Sequence, residues 1–179
     1  IEVQSVTKSY ETQLALNEIS FSASKGEIIG FLGPNGAGKS TMMKILTGFI
    51  LPTKGTVFVS GINVLKNPIE AKAHIGYLPE QNPLYEDMYV KEYLQFQTSI
   101  FKVPKEAIET VVNTVGLKPE VHKKIGQLSK GYQQRVGIAA AIIHNPDVLI
   151  LDEPTTGLDP NQIQEIRNLL TKLGKEKTI

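Results

Sequence analysis

The stretch GPNGAGKS, residues 33–40, decides the fold of this chain. It matches the pattern G-x-x-x-x-G-K-[ST] at every fixed position. The glycines allow the backbone to curl so that several N–H groups point inward at phosphate oxygens. Lys39 supplies positive charge to the β- and γ-phosphates of a nucleotide, and Ser40 supplies a hydroxyl ligand for Mg²⁺. The stretch therefore predicts a nucleotide-binding phosphate loop.

The residues on both sides of the loop have the pattern that such a loop requires. IIGFLG, residues 28–33, is a short apolar run that predicts a buried strand. GKSTMMKILTG, residues 38–48, predicts a helix that Gly48 closes. Strand, loop and helix in this order are the structural context in which the motif binds phosphate.

A second stretch, VLILDE at residues 148–153, supplies the acidic half of such a site. Its four apolar residues predict a buried strand, and Asp152 emerges at the carboxyl end, where ligands bind in open α/β sheets. Asp152 is expected to hold Mg²⁺ through a water or together with Ser40. Glu153 is expected to orient or deprotonate the water that attacks the γ-phosphate. The two stretches together indicate a P-loop NTPase.

Strands that alternate with helices around glycine-rich turns predict an α/β fold with a mainly parallel sheet. The N-terminal strands indicate an antiparallel β subdomain, and the helical pattern in the middle of the chain indicates an inserted helical subdomain. We expect a single domain over residues 1–179, with a core of about residues 1–84 and 145–179 and a helical subdomain of about residues 85–144.

The composition excludes several classes of function. The chain has 179 residues, no cysteine and a net charge of +1. Disulfides and thiolate metal sites are therefore excluded, and the overall charge gives no support for nucleic acid binding. The longest apolar stretch, VGIAAAII at residues 136–143, is far shorter than the roughly twenty residues that cross a bilayer.

The stretch GQLSKGYQQRVGIAAAII, residues 126–143, predicts a second anion site. Ser129, Lys130 and Gly131 stand where a helix is expected to begin, and the first N–H groups of a helix have no partner within it. One nucleotide-sized domain would then carry two phosphate sites, which the composition and spacing leave unexplained.

A family resemblance explains the second site. Tyr10, GPNGAGKST, YLPEQ, LSKGYQQR and VLILDEPTTGLDP occur in the order found in the ATP-binding domain of ABC transporters, and the chain resembles that domain over almost its whole length. LSKGYQQR is similar to the signature written L-S-G-G-Q, which contacts the γ-phosphate of ATP bound to a second domain. The resemblance implies that two such domains pair head to tail, each completing the site of the other. The quoted stretches look most like the bacterial export-type branch, which includes gliding-motility and multidrug subunits.

The resemblance also assigns roles by position. Tyr10 is the aromatic residue that stacks on adenine. The remaining ATP-binding residues are Gly33, Pro34, Asn35, Gly36, Ala37, Gly38, Lys39, Ser40 and Thr41. The signature residues that face the partner's ATP are Ser129, Lys130, Gly131 and Tyr132. Lys130 replaces the usual glycine and Tyr132 the usual glutamine, a role that Gln133 fills only in a shifted register. The loop at the dimer seam is Gly157, Leu158 and Asp159.

The glutamine that ligates Mg²⁺ and senses the membrane subunit in this family has two counterparts here. Glu80 occupies its position by spacing, whereas Gln81 has its chemistry. We name Gln81 as the metal ligand beside Ser40 and Asp152, with Glu80 as the alternative.

The family's γ-phosphate histidine lies beyond the strand that follows the seam loop. His74, His122 and His144 all precede Glu153 and are expected to be surface or core residues. The sequence ends at Ile179, where that strand is expected to run, so we expect a domain truncated at its C-terminus with ATPase activity of weak turnover.

The implied cofactors are ATP and Mg²⁺. The implied partners are a second ATP-binding domain, in a homodimer or paired subunit, and an integral membrane transporter subunit, with no nucleic acid. The chain is expected to be peripheral, on the cytoplasmic side of the membrane. The alternative is a soluble tandem ABC ATPase that acts in translation, although that class is expected to carry a basic RNA-binding extension. A DNA-repair ATPase requires hundreds of coiled-coil residues before the signature, and a degenerate regulatory domain is disfavoured by Glu153.

Overall fold

A four-stranded antiparallel sheet forms the N-terminal part of the protein. The computed structural model describes residues 1–11 and 13–179. The strands are β1 (Glu2–Tyr10), β2 (Gln13–Ser22), β3 (Lys54–Val59) and β4 (Ile62–Asn63), in the order β2-β1-β3-β4. Apolar residues of β1 and β3 face one side, where Val3, Val6, Val57 and Val59 are buried. This is the arrangement expected of an antiparallel sheet with one covered face.

A second, parallel sheet joins two strands that are far apart in the sequence. These are β5 (Ile75–Leu78) and β6 (Val148–Leu151), paired from Ile75 opposite Val148 to Leu78 opposite Leu151. The backbone N–H of Asp152 donates to the carbonyl oxygen of Leu78 at 2.8 Å. Both strands therefore end at the same edge, and the residues after Leu78 lie beside those after Leu151.

Residues 1–11 and 13–179 include six α-helices. They are α1 (Lys39–Leu46), α2 (Pro68–Ala73), α3 (Val90–Phe101), α4 (Glu106–Val115), α5 (Lys130–Ile142) and α6 (Pro160–Leu173). Gly116, with φ of +72°, ends α4. In α6, Ile166, Leu169 and Leu173 are buried, as the period of its apolar residues predicts. No helix within residues 1–11 and 13–179 is long and apolar enough to span a membrane.

Two apolar clusters make up the core. One packs α1 between the antiparallel sheet and the starts of β5 and β6, around Val6, Ile45 and Val57. The other packs α3, α4, α5 and α6 together, around Leu94 and Ile138. β5 and β6 lie between these two clusters, since Leu149 of β6 belongs to the helical cluster and its neighbours Val148 and Ile150 belong to the other.

The prediction that residues 28–33 form a buried strand is wrong. The segment forms no strand, and Leu32 is fully exposed. Its start is hydrogen-bonded to Ile179, which accepts from the Ile29 N–H at 2.7 Å and donates to the Glu27 carbonyl oxygen at 2.9 Å. A cavity of about 290 Å³ separates the segment from Leu149–Leu151 of β6. The segment is apolar enough for a strand, but the cavity keeps it from a neighbour along most of its length.

Candidate nucleotide-binding site

The phosphate loop curls directly into the first turn of α1. Gly38 stands at the N-cap with φ of +85°, a left-handed conformation that favours glycine. A methyl group added there would lie 2.6 Å from the carbonyl oxygen of Ala15. The loop can approach β2 this closely because residue 38 has no side chain.

Lys39 turns its side chain back into the loop. Its ammonium donates to the carbonyl oxygens of Gly33, at 2.8 Å, and Pro34, at 2.9 Å. No side chain caps the N-terminus of α1. Free N–H groups at a helix start, together with an ammonium, form an environment that attracts an anion.

A cavity of about 620 Å³ opens over this loop. Its volume is within the usual range for small-molecule sites. The wall includes Tyr10, Asn35, Gly36, Gly38, Lys39, Ser40, Thr41, Glu80 and Glu153 from the predicted set. Gly33, Pro34, Ala37 and Gln81 are not on the wall, and Gln81 is exposed elsewhere on the surface.

Three further wall residues, Gln13, Ala15 and Thr156, were not predicted. Thr156 stands three residues after Glu153. A hydroxyl so close in sequence to the expected catalytic carboxylate is a weak indication that Thr156 lies at the site. Nothing in the sequence pattern marks Gln13 or Ala15, because they line the cavity only through the position of β2 beside the loop.

Ser40 lies on the cavity wall, and Asp152, which is not on the wall, lies beside it. The Ser40 hydroxyl donates to Oδ1 of Asp152 at 3.4 Å, and Asp152 is only 5% exposed. A hydroxyl and a carboxylate are hard oxygen donors of the kind that Mg²⁺ prefers, so this pair fits a magnesium ion. Burial, and then the negative charge of Asp152, raises the pKa of the neighbouring Tyr77.

Glu153 projects from the end of β6 into the cavity. Its φ of +52° is unusual for a residue with a side chain. The Thr156 hydroxyl donates to Oε2 of Glu153 at 3.0 Å, and the Thr156 N–H donates to the Glu153 carbonyl oxygen. The turn thus holds a carboxylate at the cavity wall, where it can accept a proton from a bound water.

Tyr10 lies at the opposite side of the cavity, at the end of β1. Its ring is 45% exposed, and the ammonium of Lys8 lies 4.9 Å from the ring centroid. An exposed aromatic ring beside a phosphate loop can stack on a nucleobase without reading its identity.

The signature residues lie apart from this cavity. Ser129 caps α5, and its hydroxyl accepts from the Tyr132 N–H at 3.4 Å. A separate cavity of about 230 Å³ adjoins Ser129, Gly131 and Tyr132. Gln133, the shifted-register substitute for Tyr132, instead donates its side-chain amide to the Ile125 carbonyl oxygen at 3.2 Å.

The seam-loop residues differ in exposure. Gly157 and Asp159 are exposed, and Leu158 packs against the helical cluster. Asp159 caps α6 by accepting from the Gln162 N–H at 2.9 Å.

None of the three histidines lines the nucleotide cavity. His74 pairs through Nδ1 with Oδ2 of Asp147 at 2.6 Å, and this hydrogen bond lowers the pKa of Asp147. His144 stacks on Phe101 with ring centroids 3.9 Å apart, and His122 is exposed. Each is a surface or core residue in the described chain.

The family model described as ABC transporter matches residues 16–156 of this chain. This chain belongs to the ABC transporter family. Among curated relatives, an uncharacterized ABC transporter ATP-binding protein of Bacillus subtilis is 42% identical, covering 99% of this chain and 58% of that protein. The bacitracin transport ATP-binding protein BcrA of Bacillus licheniformis is 41% identical, covering 100% of this chain and 59% of that protein. This member thus spans a little under three fifths of the length of these two relatives.

Solved ABC structures share the fold. One is cbiO1 from Clostridium perfringens, part of the ABC transporter complex cbiONQ, with 29% identity, a TM-score of 0.89, and coverage of 99% of this chain and 76% of that one. Another is a dimeric ATP-binding cassette in a post-hydrolysis state bound to ADP and Pi, with 28% identity, a TM-score of 0.85, and coverage of 99% and 85%. The P-loop NTPase fold predicted from the sequence is therefore confirmed.

Proposed function

We propose that this chain is the ATP-binding and ATP-hydrolysing subunit that powers an ABC transporter through head-to-tail dimerisation. The observation that carries the proposal is the cavity that joins Tyr10, the phosphate loop, Ser40 and Glu153. The aromatic ring can stack on the base, the anion-binding helix start can hold the phosphates, and the carboxylate can orient the attacking water.

ATP binding at this site uses the loop as a positioning device. The ammonium of Lys39 and the N–H groups of α1 face the β- and γ-phosphates, while Tyr10 stacks on adenine. Ser40 and Asp152 hold Mg²⁺, with Glu80 or Gln81 as a further oxygen ligand. When bound, Mg²⁺ neutralises charge on the phosphate oxygens. Glu153 orients the attacking water and accepts its proton.

The separation of the signature from the phosphate loop supports a paired assembly. Ser129, Gly131 and Tyr132 adjoin a cavity of their own, so we assign them to the nucleotide of a second domain. A solved cassette of similar fold is described as dimeric and bound to ADP and Pi. ATP then acts as a bridge that favours the closed pair, and hydrolysis reopens it.

A groove between the segment after α1 and helices α3 and α5 is an argument for a membrane partner. Its volume is about 390 Å³, and its walls include Phe49, Tyr77, Tyr93 and Phe101. We assign this face to an integral transporter subunit on the cytoplasmic side of the membrane. Relatives named for bacitracin and lantibiotic transport and for multidrug ABC transport support transport of antibiotics as the wider role.

Turnover by this chain is expected to be weak. The family's γ-phosphate histidine has no counterpart on the cavity wall, since none of the described histidines reaches it. Binding of ATP depends on the loop and is expected to be retained.

Replacement of Lys39 tests the proposal. Lys39→Ala removes a charge-assisted contact, which corresponds to about a 10- to 100-fold weaker binding of Mg·ATP. Lys44→Ala is the matched control, because Lys44 lies exposed on the same helix. Titration with a fluorescent ATP analogue measures binding, and phosphate release measures hydrolysis. Equal affinities of Lys39→Ala and the unchanged chain would refute the site.

A further inference from the structure

We propose that Lys130 and Gln162 lock the signature turn, residues 129–132, to the seam loop, residues 157–159, so that the two present one surface to the partner's nucleotide. The inference rests on the proposed function. It assigns Gln162 as a positioning residue, and it explains why the usual glycine is a lysine at position 130.

The first contact runs from the signature turn to the seam loop. The Lys130 side chain crosses Gly157, so that a methyl group at residue 157 would collide with the ammonium and lie 3.0 Å from Cε. Gly157 has φ of +71°, which also favours glycine. Within residues 1–11 and 13–179, Lys130 belongs to none of the ion pairs. The position of its ammonium is therefore set by the packing of its side chain across Gly157.

The second contact joins Gln162 of α6 to Gly131 of the signature turn. A methyl group on Gly131 would lie 2.8 Å from Cδ of Gln162 and 3.1 Å from both of its amide heteroatoms. Gly131 is buried and has ordinary helical geometry, so a methyl group there would meet no backbone strain and would instead displace the end of the Gln162 side chain. Gly157 of the seam loop thus receives a side chain from the signature turn, and Gly131 of the signature turn receives one from α6, which follows the seam loop.

An ion pair behind these contacts fixes the two helices. Nη2 of Arg135 on α5 donates to Oε2 of Glu165 on α6 at 2.6 Å. Nη1 of the same guanidinium donates to the Val115 carbonyl oxygen at 2.6 Å, and the Tyr132 ring centroid lies 5.8 Å from it. The ion pair therefore links α5 to α6 one turn beyond the signature turn.

A suppressor experiment separates this lock from the other reason for a glycine at residue 131, space for a partner's phosphate. In the Glu153→Gln protein, the ATP concentration for half-maximal dimerisation is measured by light scattering. Gly131→Ala is expected to raise it about 10-fold, because the added methyl group displaces the end of the Gln162 side chain, which then crowds the turn. Gln162→Ala, added to Gly131→Ala, is expected to return it to within about 3-fold of the Glu153→Gln value, since it removes the overlapping atoms.

Gln164→Ala is the matched control, because Gln164 is an exposed glutamine on the same helix and should not suppress Gly131→Ala. Affinity of the monomer for a fluorescent ATP analogue, measured at low protein concentration, should be equal in all variants. Gln162→Ala alone, which creates no clash, should raise the half-maximal ATP concentration about 3-fold and gives a readout even where Gly131→Ala does not fold.

The outcomes distinguish the two proposals. If the Glu153→Gln protein forms no dimer with ATP, the proposed function fails, and the lock fails with it. If it dimerises but Gln162→Ala neither suppresses Gly131→Ala nor acts alone, only the lock is overturned. Suppression by Gln162→Ala and not by Gln164→Ala would support it.

Discussion

Glu80 and Gln81 are adjacent, yet only Glu80 reaches the nucleotide cavity. The parallel pairing of β5 with β6 sets this, because it brings the residues after Leu78 beside Asp152. Spacing in the sequence favoured Glu80 and chemistry favoured Gln81. The geometry adds weight to Glu80 as the oxygen ligand that completes the Ser40 and Asp152 pair.

Paired alanine substitutions test this choice. Glu80→Ala should raise the Mg²⁺ concentration for half-maximal ATP hydrolysis about 10-fold, because it removes a charged oxygen near the ion. Gln81→Ala should change it by less than about 2-fold, since its side chain lies off the wall. Phosphate release over a Mg²⁺ titration distinguishes them. The reverse order of effects would restore Gln81 as the ligand.

His144 predicts a dependence of stability on pH. Its Nε2 lies 3.1 Å from the Ile75 carbonyl oxygen and so carries the proton, while the buried Nδ1 has no partner. Burial lowers the pKa of His144, with the charge of Lys177 acting in the same direction and the hydrogen bond to Ile75 opposing it. His144 therefore binds a proton near pH 6.5 in the unfolded chain, but only at lower pH in the folded chain.

The free energy of unfolding should consequently fall as pH drops below about 6.5, with a slope of at most about 1.4 kcal/mol per pH unit from this group. Urea unfolding of the unchanged chain and of His144→Gln over this range measures the slope. His144→Gln should show a shallower slope, whereas His122→Gln, at an exposed site, should keep the original one. Identical slopes in all three proteins would contradict the assignment.

At the scale of elements, α6 begins at a residue with two proposed tasks. Asp159 caps the helix and also belongs to the seam loop. Asp159→Ala should lower the free energy of unfolding by about 1 kcal/mol, since it leaves an unpaired N–H at the helix start. Asp159→Asn should retain the cap and most of the stability. Thermal unfolding of both variants measures this difference, and equal losses would show that the charge, not the cap, stabilises the helix.

Whether a helix or strand can be predicted depends on whether its sequence pattern reflects the face that the fold buries. The apolar residues of α6 recur with the helical period and are buried, whereas β1 buries Val3 and Val6, three residues apart, because a bulge interrupts the strand between them. Residues 28–33 are as apolar as β6, but apolarity does not say whether a neighbouring strand is present. α2 is six residues long with one buried residue, Ala71, which is too short for a period to be detected.

At the scale of the whole molecule, the site joins segments more than a hundred residues apart. The phosphate loop and the pair Asp152 and Glu153 were predicted because each carries its own motif. Gln13 and Ala15 carry none, and only the path of β2 past the loop brings them to the wall. The separation of Ser129 from this cavity is likewise a property of the folded chain, and it is the reason for proposing two half-sites.

The mass of the Glu153→Gln protein in saturating Mg·ATP tests the central proposal most directly. The substitution should block hydrolysis and retain ATP, so each signature engages the nucleotide of the other chain. Light scattering should then give twice the 19.7 kDa of one chain. With Lys39→Ala added, the mass should return to that of one chain. A mass of 19.7 kDa for Glu153→Gln with ATP bound would contradict the account.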